Sequence, residues 1–153
     1  MFNSTPYTHK YLYLSSYNST EFFPRNNHND FTVKMLNTSI FHNIRLCGLI
    51  SFQFHDQFTI NKVADMEYTS LNLYVCSDLC QQSFVNDCML PVLTRLNINV
   101  NNDSALKDIM ISHPIYIPIV QSYKESVRIY IVGDDGKDIS ISKGPTKATL
   151  HLK

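Results

Sequence analysis

Charge is scarce in this 153-residue chain: Lys, Arg, Asp and Glu make up 17% of it, against about 25% in ordinary globular domains. A surface so poor in ions points to contact with other protein over much of its area. The charge that is present cancels, 13 basic residues against 13 acidic, so no global field draws the chain to nucleic acid or to an anionic membrane. Glycine is rare as well, at 4 residues, too few for the glycine-rich loops that cradle phosphates. No GxSxG elbow and no HExxH helix occurs. No run nears the roughly 18 apolar residues of a membrane helix, and MFNSTPYTHK lacks the basic stretch and apolar core of a secretion signal. These absences predict a protein made in the cytosol or nucleus. They predict no catalytic residue, no cofactor, no metal, no membrane insertion and no direct contact with nucleic acid.

Cysteines number 4. In a reducing compartment Cys47, Cys76, Cys80 and Cys88 are expected as buried or half-buried thiols. Cys76 and Cys80 form a CxxxC without the second pair that a tetrahedral zinc site needs, and the redox state of Cys76, Cys80 and Cys88 is not legible. Sequons begin at Asn3, Asn18, Asn37 and Asn102; without secretion they are read as incidental to an Asn- and Ser-rich chain.

What the chain has is hydrophobic residues at 44% and aromatics at 12%, arranged mostly with a period of two. YLYLSS sets Tyr11 and Tyr13 against Leu12 and Leu14; FTVKM sets Phe31, Val33 and Met35 against Thr32 and Lys34. LISFQF sets Ile50, Phe52 and Phe54 against Ser51 and Gln53, and LNLYV sets Leu71, Leu73 and Val75 against Asn72 and Tyr74. Further strands are predicted at Val92 to Ile98, at IYIPIV (Ile115, Ile117, Ile119), at Val127 to Val132, around Ile139 and Ile141, and at KATLHL. Pro118 demotes its strand to an edge or a bulge. Asp135 and Gly136 suit a tight hairpin, so Val127 to Lys153 reads as a three-stranded meander. Ser77 to Leu90, with Asp78 at its head, reads as a short capped helix, and SALKDIM as a single helical turn. The sum is one all-β domain, a sandwich of two antiparallel sheets with about eight strands and one or two short helical turns.

Candidate chemistry is thin. His9, His28, His42, His55, His113 and His151 are scattered singly, with no HxH pair to present two imidazoles to one metal. The alternation puts His151 on the outward face beside Thr149 and Lys153, as polar surface or a contact to a neighbouring element. Asp134 with Asp135, or Asn101 and Asn102 with Asp103, have the oxygens for calcium, but turn chemistry explains both clusters. Arg25 and Arg45 suit either a phosphate clamp or ordinary ion pairs. Tyr7, Tyr11, Tyr13 and Tyr17 suit a protein interface, the alternative being that half of them line the core.

Three stretches carry a resemblance. YLYLSSYNSTEFFPRNNHNDFTVKM, with its strand, Ser-rich turn, aromatic-Pro-x-Asn step and Phe-x-Val, resembles the opening of the penton-like minor capsid proteins encoded by Polinton/Maverick elements and adintoviruses. LYVCSDLCQQSFVNDCMLPVLTRL is similar to that family's strand followed by Ser-Asp, Val-x-Asp and Leu-Pro-x-Leu. VRIYIVGDDGKDISISKGPTKATLHLK is similar to its closing hairpin and its Thr-Leu-His-x-basic end. The likeness runs from about Tyr11 to Lys153, and departs at CGLISFQF, where relatives often have VAL-x-E.

The resemblance implies a single jelly roll over 11–153 behind an N-terminal arm of 1–10. It implies a homopentamer at the fivefold vertices of an icosahedral double-stranded DNA capsid, partnered by a double-jelly-roll major capsid protein and located in the virion. In a jelly roll the first and last strands are neighbours, so TLHLK is expected to be tied down by pairing with YLYLSS. The arm is a candidate for reaching a neighbouring capsid protein. Other readings are a minor cement capsid protein, a carbohydrate- or ligand-binding sandwich, and a metal-dependent jelly-roll enzyme. No residue is assigned to a subunit contact from sequence.

Overall fold

The computed structural model describes residues 10–55, 58–59, 71–98, 106–120, 124–141 and 143–153. In chain order the strands are β1 (Lys10–Ser15), β2 (Asp30–Lys34), β3 (Leu46–His55), β4 (Phe58–Thr59), β5 (Leu71–Ser77), β6 (Ser83–Val85), β7 (Cys88–Leu90), β8 (Val92–Ile98), β9 (Leu106–Met110), β10 (Tyr116–Pro118), β11 (Ser126–Val132), β12 (Ser140–Ile141) and β13 (Lys147–Leu152). A 3-10 turn at Thr38–Phe41, with the Asn37 side chain accepting from Ser39 N, is the helical element among the described residues. Of the segment expected as an arm, residues 1–9 lie outside the described residues and Lys10 already belongs to β1.

The strands form two main antiparallel sheets. One has the order β1-β13-β3-β10, with β9 also on β3; the other has the order β2-β11-β5-β8. Their inward residues close one core: Leu12, Leu14, Leu49, Phe52, Phe54, Leu150 and Leu152 from the first sheet meet Phe31, Val33, Leu73, Val75, Val127, Ile129 and Ile131 from the second. The expected pairing of the closing strand with the opening one is present, Tyr11 opposite His151 and Leu12 opposite Leu150, while the other side of β13 pairs with β3. Short pairs β4–β12 and β6–β7 complete the set.

Two bulges tune which side chains face in. Across β13, Leu150 opposes Leu49 and Thr149 opposes Ser51, leaving Ile50 as the extra residue. Leu49 and Phe52, three residues apart, therefore both point inward, and Ile50 is only half-buried. On β8 the register shift falls at Leu93, and Leu93 and Leu96 both reach the core in the same way.

Several sequence expectations are corrected. Ser77 to Leu90 is no helix: after a turn it forms the β6–β7 hairpin, with Asn86 at φ 53° at its tip. Asp78 caps no helix there and instead accepts from Arg128 N at 2.9 Å. Its aromatic and β-branched members Phe84 and Val85 favour the extended backbone. SALKDIM contributes β9, Leu106–Met110, because the β3 edge offers that backbone a full ladder of partners. Val127 to Lys153 is not a meander. The turn after Val132 closes with Gly133 N–H donating to Lys137 O at 3.0 Å, but β11 and β13 lie in opposite sheets and β12 pairs with β4. Leu150 and Leu152 fill the core from the far side, which separates β13 from β11. Pro118 sits on β10, whose only strand partner among the described residues is β3, as an edge position requires.

Candidate functional surface on the first sheet

The outer face of the first sheet carries a row of rings. Strand register lines up Tyr11 on β1, His151 on β13, Gly48 on β3 and Tyr116 on β10. Tyr11 stacks on His151 with ring centroids 5.0 Å apart and an interplanar angle of 17°. Tyr116 meets the same imidazole edge-on at 5.6 Å, and its Oη is hydrogen-bonded to His151 Nδ1 at 2.7 Å. The Lys153 ammonium lies 3.9 Å from the centre of the Tyr116 ring. His151 does point to the outward face, as the alternation requires, yet it is buried, 6% exposed, beneath its neighbours. That corrects the reading as polar surface and bears out the other, a contact to neighbouring elements: two flanking tyrosines seal it, and sequence spacing does not show which residues sit across the sheet.

Gly48 makes this arrangement possible. A Cβ there would stand 3.0 Å from both Tyr116 Cδ1 and Cε1 and 3.3 Å from Ile115 O. Gly48→Ala should push the Tyr116 ring off His151 and cost about 1–3 kcal/mol, the range of overpacked sites. Urea denaturation checks this; an unchanged midpoint would show that the ring row contributes no stability.

The next row along the same face is Tyr13, Thr149, Ser51 and Met110. Tyr13 is 71% and Met110 73% exposed. Tyr17 is exposed too, so Tyr11, Tyr13 and Tyr17 all face solvent rather than core, while Tyr7 lies outside the described residues. The second sheet's outer face is different. Tyr74, Cys76 and Val132 are covered there by a small apolar cluster with Val85, Leu90 and Val92, brought by the β6–β7 hairpin and the start of β8. The hairpin presents Phe84 and Met89 to solvent on its far side.

Polar groups elsewhere are engaged in structure. Arg128 grips Asp30 through two bonds, Nε to Oδ1 at 2.8 Å and Nη2 to Oδ2 at 2.7 Å, and lies 4.1 Å over the Tyr130 ring. Sequence reading singled out Arg25 and Arg45 instead; both are exposed. Arg25 helps line a shallow cleft of about 300 Å³ with Phe22, Phe23, Pro24, Asn26, Asp30 and Thr32. Asp135 accepts from Lys137 N at 3.0 Å, the pattern of turn chemistry, while Asp134 accepts from the remote Tyr74 Oη at 2.9 Å. Asn101 to Asp103 lie outside the described residues, as do His9 and the sequons at Asn3 and Asn102. Among the described residues no group of three or more His, Cys, Asp and Glu side chains is placed to hold a metal. Cys47, Cys76 and Cys80 are buried and Cys88 half-buried, all as free thiols. Burial pushes the Cys76 thiol up to about 12, and a hydrogen bond with Cys47 together with burial raises that of Cys80, so both stay protonated and unreactive.

His42 and His113 are exposed, while His28 sits in a structural joint. Ser16 Oγ accepts from Thr146 N at 2.9 Å and is hydrogen-bonded to His28 Nδ1 at 2.9 Å; Tyr17 meets the ring edge-on. A Cβ on Gly144 would overlap that ring. Burial, then the nearby His55 charge, lowers the His28 pKa below its ordinary value. The unfolded chain therefore binds the proton more readily. Stability from this group is full above about pH 6.5 and is lost as pH falls through the lowered native value. His28→Gln should flatten the acid limb of a stability–pH curve measured between about pH 5 and 8; an unaltered limb would place the titration elsewhere.

No family model matches the chain, and no curated protein matches it.

Proposed function

We propose that this chain is a structural capsid protein, the penton of an icosahedral double-stranded DNA virus or virus-like element of the Polinton and adintovirus kind. It assembles as a pentamer beside a double-jelly-roll major capsid protein, and its place is the virion. The observation that carries this reading is the nesting of strand pairs. Among the nine strands of the two main sheets, β1 pairs with β13, β2 with β11, β3 with β9 and β10 on successive stretches, and β5 with β8. First with last, second with second-last and so inward is the order produced by rolling one antiparallel ribbon into two sheets, a single jelly roll. The resembling stretches fall on framework positions of the two sheets. The aromatic-Pro-x-Asn step brings Asn26 to β2, where its side chain binds both Thr32 N and Thr32 O.

Large apolar side chains stand in solvent around the sandwich, among them Leu36 at 93%, Phe84 at 73% and Ile115 at 64% exposure. Such residues are suited to subunit contacts. Cyclic symmetry makes those contacts heterologous, each burying roughly 1,200–2,000 Å² in total. In this reading the chain is no enzyme, and its rigid core and free flanks are its function.

Native mass spectrometry of the purified chain tests the proposal. The expected species is about five times the 17.7 kDa chain. A monomer that binds glycans in solution would instead favour the carbohydrate-binding sandwich.

A further inference from the structure

The margins of the two sheets are not equally protected. The outer margin of β2 is closed by the Asn26 amide on Thr32, by Ser19 Oγ accepting from Lys34 N at 2.9 Å, and by Asn27 N–H donating to Asp30 O at 3.0 Å. The margin of β10 is closed by Gln81 N–H donating to Pro118 O and Val120 N–H donating to Leu79 O. Among the described residues β1 has no such cover. Ser16 N–H donates to Thr146 O at 2.8 Å on the β13 side. Alternation along the strand then turns the N–H and C=O groups of Leu12 and Leu14 to β13, and those of Tyr11, Tyr13 and Ser15 to the open side. Ser15 O is taken by Asn18 N–H at 2.9 Å; among the described residues the outward groups of Tyr11 and Tyr13 meet no partner. KYLYLS has no proline and no bulge, and its one charge is Lys10 at the start, so the usual devices against edge pairing are missing.

We propose that β1 pairs with β1 of a second copy across a twofold axis through Leu12, joining the first sheets of two molecules into one. The argument for a second copy is the register. An antiparallel pair centred on Leu12 sets Tyr11 against the other copy's Tyr13, and Tyr13 against its Tyr11. Those are the residues with outward groups, so the pair forms four N–H···O bonds and uses every free donor and acceptor of both tyrosines. It also keeps faces matched, tyrosine beside tyrosine outside and Leu12 beside Leu12 on the core side. A shift of one residue would put tyrosine on the core face. A centre on Tyr13 would need the Ser15 carbonyl, which Asn18 already holds. The two Lys10 side chains end about 13 Å apart along the strands, so no like charges face each other. Outside, the ring row His151–Tyr11 extends onto the other copy's Tyr13.

The contact is isologous and leaves other flanks for cyclic assembly, so it stands apart from the vertex reading. The test is disulfide trapping in a Cys88→Ser background with a glutathione redox buffer as oxidant. Tyr11→Cys and Tyr13→Cys proteins are made separately and then mixed. A hydrogen-bonded antiparallel pair holds its Cα atoms about 5.5 Å apart, within disulfide range. The mixture should give a mixed disulfide dimer at least tenfold above either variant alone. Sedimentation of Tyr13→Pro and of Tyr13→Lys, one removing the edge donor and one adding charge, should show the twofold pair lost. Equal trapping in the mixture and the single variants, or an unchanged sedimentation profile in both edge variants, overturns the proposal. Five-membered rings without trapping overturn this contact and leave the vertex reading in place; trapped pairs without rings do the reverse.

Discussion

Deleting Lys147 to Lys153 should leave a chain that no longer folds. β13 lies between β1 and β3 and carries a hydrogen-bond ladder on each side. Ala148, Leu150 and Leu152 are all at most 1% exposed in the core. Truncating one such leucine to alanine costs about 2–5 kcal/mol. Removing the strand takes away two of them, both ladders and the burial partner of Leu12, against a total stability of about 5–15 kcal/mol for an ordinary domain. The expected record is loss of the cooperative urea transition by circular dichroism. A sharp transition retained by the truncated chain would mean that the sandwich does not depend on closure by β13.

Phe52→Ala should be the most damaging single substitution in the first sheet. Phe52 is fully buried, opposite Ala148 on one side and Ile109 on the other, with the Phe54 ring 5.4 Å away. Its neighbours belong to three strands and cannot collapse into the space together, so the full cavity cost of about 3–5 kcal/mol applies. In a domain of this size that lowers Tm by roughly 6–20 °C. Tyr13→Ala, on the open outer face, serves as the control and should stay within about 0.5 kcal/mol when measured on the dissociated chain. Equal losses in the two variants would contradict the assignment of inner and outer faces.

Period-two reading worked where both faces of a strand are uniform. Val92–Ile98 coincides with β8, and the sequence run from Val127 to Val132 differs from β11 by the single residue Ser126. It failed where the period itself breaks. The bulges at Ile50 and Leu93 bring residues three apart to the same face, which no fixed period reproduces. Ser77 to Leu90 has an aspartate at a helix-cap position of the sequence and mixed polarity; beside the local preference of Phe84 and Val85, the apolar outer face of β5, with Tyr74 and Cys76, makes its extended form favourable. The closing segment showed its turn but not its sheet, since the partners of β12 and β13 are remote in sequence. His151 was placed on the correct face, while its burial depends on Tyr11 and Tyr116, 140 and 35 residues away. Gly48 gave no signal at all: its role is the space it leaves for a ring from another strand.

The exposed apolar side chains and the nested strand order lead to one account, a rigid sandwich whose flanks bind copies of itself. Single-particle imaging of the purified assembly tests that most directly. The account predicts five sandwiches around an axis, with side chains such as Leu36, Phe84, Ile115 and Val120 buried between copies. Isolated sandwiches with those residues in solvent, at concentrations where capsid proteins assemble, would contradict it.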